Sequence, residues 1–161
     1  MMKFAIAAIL LMPMLASAAQ GALLPLKLAK EKGFTGCDAT INGAFVFVNG
    51  RDVRATVAWF DETKGDAIKV TTTSSNPGDN LFVEAEFRKQ GGKCFVNATS
   101  IITSEKSCAA FLAESPAFNV QYVIGEFTWT RNANGVLMYL MGAGTGCIAI
   151  YQLNNKQPQQ N

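Results

Sequence analysis

The chain has 161 residues, 14 basic and 12 acidic side chains, a formal charge of +2, four cysteines and no histidine. Charge this balanced, with no run of Lys or Arg, lacks the cationic patch that nucleic-acid binding requires. A chain without His cannot run Ser-His-Asp, Cys-His or histidine general-base catalysis, and it has no imidazole for a zinc site.

Residues 1–19 have the order of a secretory signal peptide: Lys3, an apolar run from Phe4 to Leu15, then Ala16-Ser17-Ala18-Ala19 as small residues at a cleavage site. The run is broken by Pro13 and is shorter than the ~20 apolar residues of a membrane span. The first cysteine, Cys37, is too far from the cleavage site for a lipoprotein anchor. The reading is therefore a leader over 1–19, one domain over 20–153, and a polar, flexible tail over 154–161, in a periplasmic or secreted protein with no span in the mature chain. A domain of this length suits one core.

Residues 22–32 predict a short helix, with Pro25 in its first turn and Gly33 as its stop. Residues 38–48 support two readings. Asn49-Gly50 is a strong hairpin turn between Phe45–Val48 and Val53–Phe60, which makes 45–48 a strand. The rival is a helix from Asp38 to Val48 that puts Cys37, Ile41, Ala44, Phe45 and Val48 on one face. Gly43 and the β-branched residues count against the helix, and the hairpin is the preferred expectation. Val53–Phe60 alternates as a strand, Asp61–Asp66 is a charged loop, Ala67–Thr73 a strand, and Ser74–Asn80 a polar turn segment.

The clearest element is 81–101. Gly91-Gly92 as central turn residues places Gln90 opposite Lys93, Lys89 opposite Cys94 and Phe87 opposite Val96. Leu81, Val83, Ala85, Phe87, Cys94, Val96 and Ala98 then share a core face. Phe82, Glu84, Glu86, Arg88 and Phe95 share the opposite one. Ser104–Ser115 predicts a helix capped by Ser104 or Ser107 and followed by Pro116. Four strands complete the chain: 120–122, 127–130, 136–141 and 147–153, with Asn134-Gly135 as a turn and Gly142-x-Gly144-x-Gly146 as an interruption. The fold class is α+β: an antiparallel, hairpin-built sheet packed against one or two helices, with two disulfides.

Four cysteines allow three pairings. The preferred one joins Cys94 to Cys108, tacking the helix onto the neighbouring strand, and Cys37 to Cys147, closing the two ends of the domain. No close Cys pair suggests zinc and no Cys-x-x-Cys suggests redox work, so no metal and no cofactor is expected. The glycine triplet matches neither a dinucleotide fingerprint nor a phosphate loop, and reads as a bend. Glu84 and Glu86 on one strand face, and Asp61, Glu62 and Asp66 crowded in one loop, are the carboxylates that invite hydrolysis, and ordinary solvated charges explain them more simply.

Trp59, Trp129, Tyr122, Tyr139 and Phe127 read as core aromatics. Phe82 and Phe95, beside Glu84, Glu86 and Arg88, are the candidate interaction surface. Candidate contact loops carry Asp61, Glu62, Lys64 and Asp66; Asn76 and Asp79; and Arg131, Asn132 and Asn134. Together these features favour an exported, non-catalytic binding protein with a protein partner, an inhibitor or immunity-type protein that blocks an enzyme in the periplasm. A small-ligand or lipid carrier comes second and a carboxylate-dependent hydrolase third.

Overall fold

Long runs of alternating apolar and polar residues, punctuated by Gly-containing turns, fold into hairpins. The computed structural model describes residues 20–48, 51–59 and 65–155. It contains helices α1 (Gln20–Glu31), α2 (Asp38–Ala44) and α3 (Cys108–Ala113). Its strands are β1 (Val53–Ala58), β2 (Ala67–Asn76), β3 (Asp79–Gln90), β4 (Lys93–Ser104), β5 (Phe118–Ile124), β6 (Phe127–Asn132), β7 (Leu137–Ala143) and β8 (Gly146–Asn155). The expected leader over 1–19, the Asn49-Gly50 turn, and Asp61, Glu62 and Lys64 of the charged loop lie outside the described residues. Of the expected tail, Asn154 and Asn155 are the last residues of β8; 156–161 lie outside.

All eight strands form one antiparallel sheet in the order β1-β2-β3-β4-β8-β7-β6-β5. The chain meanders from β1 to β4 and passes α3. It reaches the far edge at β5 and meanders back until β8 pairs with β4. β1 and β5 are the two edges, so the sheet does not close into a barrel. The β3–β4 register is the one set by Gly91-Gly92: Gln90 opposite Lys93, Lys89 opposite Cys94, Phe87 opposite Val96. Both glycines have positive φ, 58° and 74°, which a two-residue turn of this kind demands.

All three helices lie on one face. α1 and α2 cover β1–β4, burying Ile68, Val70, Val83 and Phe87 together with Phe34, Ile41, Phe45 and Val48. Phe87 sits between Phe34 and Phe45, with ring centroids 6.4 and 6.2 Å away. Here the preferred hairpin over 45–48 is corrected. Residues 38–44 are helical and 46–48 form a 3-10 turn. Cys37, Ile41, Ala44, Phe45 and Val48 are all buried, while Phe47 is 54 % exposed. The face that a helix offers over this stretch finds a sheet to bury against, and that burial outweighs the weak helix propensity of Gly43 and the β-branched residues.

The cysteine pairing is also corrected: the bridges are Cys37–Cys94 and Cys108–Cys147. The twelve residues of β4 explain why. At roughly 3.4 Å per residue the strand is about 40 Å long. Cys94 is near its start and Cys108 lies beyond its end, so nearness in sequence puts the two at opposite ends of the sheet. Cys147 is paired across from Ser104 at the end where Cys108 emerges. Cys94 instead meets Cys37, which precedes α2. The Cα–Cα distances, 5.8 and 4.8 Å, suit disulfides.

The α3 helix is shorter than expected, starting at Cys108 with Ser107 as its cap; the Ser107 hydroxyl accepts from the Ala110 N–H. The Gly142–Gly146 interruption is the β7–β8 hairpin turn, with Ala143 opposite Gly146 and Gly144 at φ 61°. Gly146 is needed for space: a Cβ there would overlap the Ser104 carbonyl.

Candidate interaction face

Side chains that alternate away from the helices point to a face that no described helix covers. On it, cross-strand neighbours form one continuous row: Phe82 opposite Ile101, Ile101 opposite Ile150, Ile150 opposite Tyr139, Tyr139 opposite Trp129, and Trp129 opposite Tyr122. The row crosses six strands, about 24 Å at ~4.8 Å per strand. A second row lies beside it, where Ile148, Met141, Phe127 and Ile124 follow Thr103. None of these ten apolar residues is in the buried class. They form a broad apolar surface on the sheet, larger than the scattered single hydrophobes of an ordinary surface.

Its densest part is aromatic. Tyr122 stacks on Trp129 at 5.2 Å between centroids, and Trp129 meets Tyr139 edge-on at 4.3 Å. The Tyr139 hydroxyl donates to Gln152 Oε1 at 3.0 Å, which fixes the ring. At the other end, an open cleft of about 440 Å³ is lined by Arg54, Thr73, Phe82, Ile101 and Thr103 among others. The next row on the same face is polar over β3, β4 and β8, with Glu84, Thr99 and Gln152, and continues through Leu137 to Arg131. An apolar centre with a polar margin is the anatomy of a protein contact surface.

The expectation that the aromatics are core is therefore corrected. Tyr122 is 48 %, Phe127 39 % and Trp59 37 % exposed, and Trp129 and Tyr139 are half-buried. Trp59 lies under the Lys32 ammonium, 4.4 Å from its ring centre. Apart from Arg131 near the end of β6, strands β6 and β7 are apolar or neutral on both faces, so alternation alone does not say which face turns inward. Phe82 and Phe95 do share the open face with Glu84, Glu86 and Arg88, but they are not a pair. Phe95 is opposite Arg88, six positions from Phe82 along β3 and about 20 Å away. Phe82 ends the long apolar row, whereas Phe95 stands in the charged half.

The charges there are matched locally: Lys69 with Glu84 at 3.5 Å, and Arg88 with Glu86 at 2.6 Å. Each carboxylate has its own cation, which makes Glu84 and Glu86 an ordinary charged strand surface. The candidate contact loops are tighter than expected. Asn76 and Asp79 are paired strand residues flanking a two-residue Pro77-Gly78 turn. Asp79 is held by the Arg51 guanidinium through both oxygens, at 2.5 and 3.1 Å. Asn132 spends its side-chain oxygen on the N–H groups of Asn134 and Val136, building its own turn. Of the described set, Asp66, Asn76, Arg131 and Asn134 are exposed without such a side-chain task.

Among the described residues no group of three or more His, Cys, Asp or Glu side chains could hold a metal ion, and no helix is long and apolar enough to cross a membrane. Comparison of the chain with protein-family models, with curated proteins and with solved structures finds no match.

Proposed function

We propose that this is an exported, disulfide-locked binding protein without catalysis, an inhibitor or immunity-type protein that blocks another enzyme. The uncovered row from Phe82 to Tyr122, with the Tyr122–Trp129–Tyr139 cluster at its β5 end, carries the reading. Aromatic side chains give large contact area for little lost side-chain freedom, and Trp and Tyr dominate the energetics of protein contacts. The partner is accordingly a folded protein that presents an apolar surface to this row and polar groups to the Glu84–Arg131 margin. The short hairpin turns move the expected contact from plugging loops to the sheet face. The leader-like N-terminus and the two disulfides support an oxidising compartment, periplasmic or extracellular.

The test is affinity capture with the oxidised protein from the periplasmic extract of the source organism, run beside Trp129→Ala and Tyr139→Ala. A partner enzyme held by the natural protein, released by either variant and inhibited on reconstitution supports the reading. A captured protein that both folded variants retain, or no partner at all, overturns it.

A further inference from the structure

An edge strand leaves half its backbone N–H and C=O groups without a sheet partner, and proteins usually guard such edges with charge, proline or cover. The two edges here differ. β1 carries Arg54, ion-paired to Asp52, and packs under α1. β5 reads Phe-Asn-Val-Gln-Tyr-Val-Ile, with no charge and no proline. Val123 and Ile124 are 63 % and 62 % exposed and point to opposite faces. We propose that β5 is a self-association edge, at which a second copy of this chain adds its own β5 antiparallel to form one sixteen-stranded sheet. This is independent of the partner reading above.

The hydrogen-bond pattern and the bulge select one register. Ile124 and Phe127 close a two-residue turn at Gly125-Glu126, so that pair exchanges ladder bonds. The next pair, Val123 with Thr128, therefore turns the Val123 N–H and C=O outward, towards the open edge. A two-fold axis at Val123 lets the two copies exchange N–H···O=C bonds between their Val123 residues. Tyr122 of each copy then lies beside Ile124 of the other, both on the helix-free face. Pairing centred further back fails, because the register shift at Gln121 puts Val120 and Tyr122 on different faces. Gln121 also occupies that end of the strand by donating to the Asn119 carbonyl at 3.2 Å. In the allowed register the apolar rows of the two copies run on into one another across the axis.

The pairing segment is short. It buries on the order of 700 Å² in total, below a standard interface, so the dimer is weak and concentration-dependent. Sedimentation velocity of the purified oxidised chain between about 10 μM and about 1 mM reads it. The expected result is monomer at the low end and substantial dimer at the high end, with Val123 amide exchange slowing as the dimer forms. Val123→Pro removes the outward N–H and leaves the β5–β6 ladder intact; Val123→Lys charges the edge and keeps the backbone. Each weakens association by ~10-fold or more, whereas Thr56→Lys on the other edge leaves it unchanged. If Val123→Pro does not fold, Val123→Lys and the amide exchange of the natural chain carry the test. A natural chain that stays monomeric at ~1 mM, or one whose dimer survives in folded Val123→Lys, overturns the proposal.

Discussion

The two halves of this sheet solve the same packing problem differently. β1–β4 lie under α1 and α2, and seventeen buried hydrophobic residues join there in one cluster. β5–β8 lie beside the six-residue α3, which buries none of its residues, and among the described residues the buried hydrophobic side chains there are Met138, Leu140, Cys147 and Ala149 alone. The second half holds Tyr122, Phe127, Trp129 and Tyr139 on the open face. The first half is thus a scaffold with a conventional core. The second depends on its neighbour through β4–β8, on the Cys108–Cys147 bridge, and on aromatic contacts that remain partly wet. A surface kept apolar for contact is apolar area that does not stabilise the fold, so the half that carries the candidate face has the thinner core.

Phe87→Ala is the most damaging single change to test this contrast. Its ring is fully buried between Phe34 and Phe45, and truncation is expected to cost about 3–5 kcal/mol, read by urea denaturation. No truncation on the open face, Trp129 included, should approach that loss. Equal costs at Phe87 and Trp129 would erase the distinction between scaffold and contact half.

The disulfides sharpen it. They span 57 and 39 residues, so the chain-entropy estimate gives about 4 kcal/mol for either. Near-equal global cost should conceal unequal local effects. Replacing Cys108 and Cys147 together by Ala is expected to raise amide exchange throughout β5–β7, where few buried contacts remain. Replacing Cys37 and Cys94 lowers stability while the α1–α2 core keeps its protection pattern. Hydrogen exchange by mass spectrometry distinguishes the two.

Trp129→Ala comes next in size. Half-buried and supported by Tyr122 and Tyr139, it should cost about 1–2 kcal/mol of stability. Under the proposed function its larger effect is on capture of a partner. A variant that loses stability but keeps the partner would assign the cluster to folding alone.

How far these halves were legible in the sequence follows from the kind of signal each carries. The β3–β4 hairpin could be read to the residue, because Gly91-Gly92 admits one register and the flanking alternation is strict. Ser107 as one of two candidate caps and the antiparallel α+β class followed from equally local chemistry. What escaped was non-local. The Cys108–Cys147 bridge depends on β4 being one rigid, twelve-residue strand, and on β8 returning beside it; neither is written around the cysteines. Phe45–Val48 has strand-like composition and becomes the C-cap of α2 and a 3-10 turn because a sheet face is available to Phe45 and Val48. Trp129, Tyr139 and Tyr122 alternate as a core face would, and only the side on which the helices pack makes them surface. The row signal was present in part: extending the Phe82 face through Ile101 needed only the hairpin register, but its continuation to Ile150 and Tyr139 needed the β4–β8 pairing.

The smallest effect concerns the covered side of the second half. Tyr151 packs between Phe47 and Phe118, at 6.2 and 5.6 Å between centroids. Burial raises its phenol above the ordinary value of about 10, and a hydrogen bond with Ser115 pulls the other way. A raised acid holds its proton more tightly folded than unfolded. The stabilisation is then complete below the unfolded value and is lost as pH climbs through the folded one. Tyr151→Phe should cost about 0.5–1.5 kcal/mol at neutral pH through the lost hydrogen bond. The gap should narrow above about pH 10, because only the natural chain has to ionise a buried phenol. Urea midpoints of both proteins from pH 8 to about pH 11 show whether the curves converge; parallel curves would mean that this side of the sheet is as wet as the aromatic face opposite.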